Sequence, residues 1–247
     1  MKMPKLLAAS WAILLAAAGS CGADEPAVVL PKEHGWARYH AITASEAGEE
    51  RIATLTLKSL GKSLVDDLPC RWLESEYVSQ DGQRHERRKY LIPERAIESS
   101  ERPLEEAIKY LQQDDKDAVV SLPPESQAWM ATDSLHFPGL LKTAKVVADP
   151  RTVTFQGGKL EIANAYLGTY RWSRKGRPPA ETTIYEPEYR IWLHPDLPVG
   201  FAHAVTTLRL TREGKTLRSW QLDYALQEFG DNAEPAIPEE SAPPINP

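Results

Sequence analysis

Apolar and polar positions along most of this chain alternate with a period of two, the pattern of strands that bury one face. Trp36–Ile42 and Arg51–Leu60 read as two strands rich in aromatic, Ile, Leu and Thr residues, joined by the polar stretch Ser45–Glu50. Gly61 to Pro69 is a turn region that leads into Cys70–Pro93, the most informative stretch. There Asp81-Gly82 is a strong two-residue hairpin signal, because a type I′ turn needs positive φ at both central residues. With that loop, Glu76 faces Arg87, Glu74 faces Lys89, Leu73 faces Tyr90 and Trp72 faces Leu91. Opposite charges and apolar partners meet, as cross-strand pairing favours.

The pattern then changes period. Leu104, Ala107, Ile108 and Leu111 recur at helical spacing behind Pro103, with Glu105 and Glu106 in the first turn, which predicts a helix over 103–113. A second helix is expected after Pro124, over Ser126–Ala131. Together they make a helical insertion spanning 94–148.

Alternation returns from Lys145. Gly157-Gly158 predicts a hairpin with Phe155 opposite Leu160 and Val153 opposite Ile162. Leu160, Ile162, Asn164, Tyr166, Tyr170 and Trp172 share a strand face, on which Gly168 reads as a bend or bulge. Tyr185–Leu193 is a further strand, with Pro187 assigning its start to an edge or bulge. For the last hairpin, a two-residue loop at Glu213-Gly214 would set Arg209 against Arg218. A three-residue loop, Arg212 to Gly214, avoids this and puts Thr206 opposite Trp220 and Ala204 opposite Leu222. The expected fold is mainly β: a curved antiparallel meander of about nine strands, a half-barrel or open barrel, with the helical insertion after the fourth strand.

The termini change the picture. Lys2 and Lys5, the apolar run Leu6–Ala18 and small residues up to Ala23 make residues 1–23 a signal peptide, too short in its apolar part to span a bilayer comfortably. It has two compatible endings. Ala18-Gly19-Ser20-Cys21 resembles a bacterial lipobox, in which Cys21 is lipidated and becomes the first mature residue. Alternatively, cleavage follows Ala23, with Cys21 and Ala23 as the small residues of the site. Residues 24–33 read as a tether, 34–230 as one β-rich domain and 231–247 as a disordered acidic, Pro-rich tail. Cys70 is read as a small buried apolar residue.

The chain carries 29 Lys and Arg against 35 Asp and Glu, a net of −6 that becomes −8 once Lys2 and Lys5 leave with the leader. That balance argues against a nucleic-acid binder. The six histidines show no paired zinc spacing, so neither metal nor cofactor is assigned. No Gly-rich phosphate loop opens a helix and no nucleophile elbow is present, so no catalytic residue is assigned either. Glu74 and Glu76 are separated by about 6.5–7 Å on one strand face, near the spacing of glycosidase carboxylates. The hairpin register gives each a basic partner instead, which makes them exposed cross-strand pairs. His194, Asp196 and His203 are the remaining polar set an enzyme or metal site could draw on. The basic clusters Arg84–Lys89 and Arg171–Arg177 are candidate contacts for anionic headgroups or an acidic partner, or simply solvated strand and loop.

In a curled sheet the concave face is both core and ligand wall. The candidate ligand-binding residues are therefore Tyr166, Tyr170, Trp172, Trp220 and Leu222. The order of elements over Trp36–Phe229 (leader, strand meander, helical interruption, more meander) resembles the LolA/LolB type of lipoprotein carrier. In that family a curved half-barrel under short helices holds acyl chains. The resemblance implies an exported protein of the bacterial envelope or periplasm, non-enzymatic, with a lipid or other apolar small molecule as partner. It is one of order, and it carries over no functional residue. The competing readings are an envelope interaction module that uses loops or the basic strand, and a hydrolase with an unrecognised site.

Overall fold

The computed structural model describes residues 30–100, 103–115, 117–121, 141, 143–169, 172–174, 183–212 and 214–238, and of 172–174 and 183 the backbone alone. The strands are β1 (Trp36–Ser45), β2 (Glu50–Val65), β3 (Leu68–Ser79), β4 (His85–Pro93), β5 (Lys109–Asp114), β6 (Val120–Ser121), β7 (Lys145–Phe155), β8 (Gly158–Thr169), β9 (Trp172–Arg174), β10 (Thr183–Trp192), β11 (His203–Arg212) and β12 (Lys215–Gly230). All join one antiparallel sheet in the order β6-β5-β4-β3-β2-β1-β12-β11-β10-β8-β7, with β9 pairing on β10 as well. The path does not close into a barrel. The mainly β, open antiparallel class is as expected; β5, β6 and β9 are the strands beyond the nine.

The helix expected over 103–113 is corrected. Pro103–Glu106 makes only a single 3-10 turn, and Lys109–Asp114 is strand β5. It runs beside β4, with Tyr90 opposite Tyr110 and Lys89 opposite Leu111. Without β5, β4 would be an open edge, and a full row of ladder hydrogen bonds outweighs a weak local helical preference. Among the described residues the α-helix is α1 (Glu94–Ser99), which follows β4 directly and buries Ala96 and Ile97. Ser126–Ala131 lies outside the described residues.

In the first hairpin the predicted register is observed throughout, from Cys70 opposite Pro93 to Val78 opposite His85. The turn type is not. Gly82 alone of the predicted pair has positive φ, at 67°, and Ser79 N–H still bonds Arg84 O, so the loop is the four residues 80–83. Positive φ at two adjacent loop residues occurs instead at Asp66-Asp67, between β2 and β3, where φ is 49° and 63°.

The second hairpin is shifted by two. Gln156-Gly157 is its loop and Val153 faces Leu160. A slip of two keeps every side chain on its face, so Leu160 and Ile162 stay in the core. Beyond a register shift between Ala148 and Arg151 the expected face breaks, with Ala165 buried and Asn164 exposed. In the third, Arg212 faces Lys215, so the ladder reaches one residue nearer the turn than the three-residue loop would allow. A bulge at Leu217 moves the ladder on, so Arg209 faces Ser219, Thr206 faces Leu222 and Ala204 faces Tyr224. The Arg209–Arg218 clash is avoided by the bulge rather than by a longer loop.

Gly168 marks no register shift. Its lack of a side chain lets the ring of Tyr189, its partner across the ladder, lie where a Cβ would come within 2.2 Å of the hydroxyl. Pro187 is interior to β10 but falls between the segment that pairs with β8 and the segment that pairs with β9, where its missing N–H costs no ladder bond.

Odd-numbered side chains of β1 and β2 and even-numbered ones of β12 share the buried face: Tyr39, Ala41, Leu55 and Leu57 with Leu222, Tyr224 and Leu226. The sheet curls about this face until β7 meets β12. Val153, Leu160 and Ile162 join the same core, Gln156 N–H donates to Gln227 O at 2.7 Å, and the Phe155 and Phe229 rings lie 5.1 Å apart. A second core, with Leu73, Tyr90, Ile92 and Tyr110, packs beneath α1.

Both ends of the described chain dock on the sheet. Pro31 is buried and its carbonyl accepts from Arg71, whose other amine meets Glu94 at 2.6 Å. The expectation of a tether over 24–33 is thereby corrected for its last residues. Residues 231–238 are likewise not a loose tail. Ala233 and Ile237 are buried, and Ala233 N–H bonds His34 O.

Candidate functional site

On the concave face, a recess of about 160 Å³ opens where β3 and β4 lean over β1, β2 and β12. Its floor is apolar: Ala41, Leu55, Leu222 and Tyr224. The hairpin register builds its wall. Since Glu74 and Glu76 pair with Lys89 and Arg87 on one face, the intervening Ser75 and Tyr77 pair with Arg88 and Glu86 on the other. Arg84 completes that wall.

The wall is a charge-paired bracket. Glu86 holds Arg88 through one oxygen at 2.9 Å and Arg84 through the other. The Arg84 guanidinium also sits 5.6 Å from the Tyr77 ring centroid. Burial pushes the Tyr77 hydroxyl above its ordinary range, against the opposing effect of Arg84, so it stays a neutral donor. Among the described residues, two arginines and one glutamate stand on the wall above an apolar floor. Chemically this suits a small molecule with an apolar body and a polar or acidic end.

Among the sequence-predicted wall residues, Leu222 lines the recess. Tyr166 and Trp220 sit half-buried against the surrounding core. Tyr170, the Trp172 side chain, Cys21 and most of Arg171–Arg177 lie outside the described residues. Arg84, Glu86 and Arg88 were visible in sequence only as a basic cluster. Their partnership with Ser75 and Tyr77 was already implicit in the hairpin register.

The other candidates separate. His194 pairs with its loop neighbour Asp196 at 3.6 Å, whereas His203 meets Asp223 at 2.7 Å and Arg151 at 3.3 Å and stacks on Trp192. The trio His194, Asp196 and His203 is therefore not one site. Burial raises the Asp223 carboxyl above its usual range, opposed by Arg151 and His40. Among the described residues, no three His, Cys, Asp or Glu side chains are grouped to hold a metal ion.

The reading of Glu74 as an exposed cross-strand partner is corrected. Its side chain is fully buried, and its carboxylate receives Lys58 Nζ at 2.9 Å and the N–H groups of Ala236 and Ile237. Lys89, also fully buried, donates to Ile237 O at 2.8 Å. Glu76 keeps Arg87 at 3.0 Å and adds His85 at 2.6 Å. On the face opposite the recess the basic strand is spent on internal pairs: Arg87 on Glu76 and Gln113, Lys89 on the chain's own C-terminal segment. Cys70 is buried as expected, and burial raises its thiol pKa.

No family model matches the chain, and no curated protein matches it. Among solved structures it is similar to a candidate lipoprotein from Parabacteroides distasonis, at 10% identity over 81% of this chain and 97% of that one, with a TM-score of 0.33.

Proposed function

We propose that this protein is an exported, non-enzymatic binding protein of the cell envelope that holds a small amphipathic molecule in the concave-face recess. The observation that carries the reading is the combination of an apolar floor (Leu55, Leu222, Tyr224) with the Arg84–Glu86–Arg88 wall in one opening. The apolar part lies on the floor, and an acidic end meets the arginines in exchange for part of their contact with Glu86. The size sets the class of ligand. A void of about 150 Å³ takes one benzene ring, and drug-sized ligands occupy roughly 300–1,000 Å³. A single ring or a short alkyl chain fits better than a full acyl chain. Export and anchoring rest on the leader and on Cys21.

Calorimetric titration with hexanoate and phenylacetate tests the recess. The wild-type protein is expected to bind at least one saturably, and Ala41→Leu, which fills the recess from β1, to bind neither. Absence of binding to the wild type, together with no retained small molecule in native mass spectra of envelope-extracted protein, overturns the reading. The same spectra report whether Cys21 carries lipid.

A further inference from the structure

The opposite face of β2–β4 holds a second built feature. Trp72, Glu74, Lys58 and Lys89 face away from the recess, and the segment that follows β12 docks on Glu74 and Lys89. Within Pro235-Ala236-Ile237-Pro238 the two prolines have no N–H, so Ala236 and Ile237 carry the only two backbone donors. Glu74 accepts both, at 3.0 and 3.1 Å. Lys89 donates to the Ile237 carbonyl at 2.8 Å while its ammonium sits 4.9 Å from the Trp72 ring centroid. The Ile237 side chain is fully buried. The chain bends at Ala236-Ile237 so that both N–H groups reach one carboxylate, and these donors, an acceptor and one side chain are thus read by groups fixed on the sheet.

Covering a sheet face does not require this. Apolar residues in place of a buried Glu and Lys are often neutral or stabilising, because two desolvated charges are costly. What a buried carboxylate and ammonium supply is directional recognition of peptide groups. Flanking prolines fix φ at two positions and restrict the residues before them, which reduces the entropy lost on docking.

We propose that the Glu74–Lys89 socket is a recognition site for short, proline-flanked peptide segments that bend to present two adjacent N–H groups, occupied in cis by residues 235–238 of this chain. A competing segment of the same chemistry binds there when the chain's own segment lets go. The site is independent of the recess, being on the other face.

The test uses the full chain and a fluorescent decapeptide of sequence Asp231 to Glu240. Ile237→Asp in the protein sets a carboxylate against Glu74 and releases the cis segment. That variant is expected to bind the peptide saturably, at least about tenfold tighter than wild type. A peptide with Ala236→Pro, which lacks one of the two donors, is expected to bind about tenfold more weakly still or not at all. A natively folded Ile237→Asp protein that ignores the peptide, or takes both peptides equally, overturns the proposal. Should that variant lose its native circular dichroism, hydrogen exchange on the wild-type protein decides. Faster exchange at 233–238 with excess peptide supports displacement, and unchanged exchange overturns it.

Discussion

Glu76 shows how single side chains are tuned by this sheet. Burial alone would raise its carboxyl, but hydrogen bonds from His85 and Arg87 and the charge of Lys58 outweigh it and hold the group below the ordinary glutamate range. The folded state therefore binds fewer protons here than the unfolded chain. The stabilisation is complete above the ordinary range and drains away as pH falls through the lower folded value. Glu76→Gln is expected to cost about 1–2 kcal/mol at neutral pH. It should also flatten the loss of stability between about pH 5 and pH 3, as read from urea midpoints across that range. An unchanged acid slope would mean the pairs contribute nothing. Gly200 illustrates the opposite kind of constraint. It has φ of +80°, and a Cβ there would lie 2.2 Å from the Tyr39 hydroxyl, which accepts the N–H of Phe201.

Elements are governed by register, and the bulge in β12 makes that testable. Leu217 is the extra residue and is about half exposed. Deleting it leaves Arg209 opposite Ser219, and every pair from Leu208–Trp220 onward, as they are. Stability should change by less than about 1 kcal/mol. Deleting Thr207 from the facing strand turns Ala204 and Thr206 out of the core and is expected to cost more than about 3 kcal/mol or prevent folding. Urea denaturation of the two deletions distinguishes them, and equal effects would contradict the register. The hairpins also show what was legible in the chain. Asp81-Gly82 located the first turn and its register, because charge and apolar pairings on both sides agreed. It did not give the turn type, since a four-residue loop preserves the same pairs. Gly157-Gly158 placed the second turn within two residues, a shift that alternation cannot detect because it moves no side chain to the other face.

The molecule as a whole depends on the curl that brings β7 to β12. Removing the Phe155 ring, which packs on Phe229 beside the Gln156–Gln227 hydrogen bond, is expected to loosen that closure. Phe155→Ala should cost about 2 kcal/mol and speed hydrogen exchange in β7 and β8 more than in β2 and β3. Uniform acceleration would show that the closure is not a separate unit. The recess depends on the same curvature, since its floor draws on β1, β2 and β12 while its wall stands on β3 and β4.

Local pattern alone determined nine of the strands, the face most of them present to the core, the open antiparallel class and the pairing of Glu76 with Arg87. Those follow from alternation and near-neighbour pairing, which act over a few residues. Three outcomes needed the tertiary structure: β5 in place of a helix, the recess at Ser75–Arg88, and the burial of Glu74 and Lys89 under residues 231–238. In each, the deciding partner is remote in the chain or belongs to a different surface: the edge of β4, the floor supplied by β12, and a C-terminal segment whose composition reads as disordered. An edge strand's unmet hydrogen bonds and a buried charge's need for partners are properties of the assembled sheet. A window of sequence contains the groups that answer them, but not the fact that they will meet.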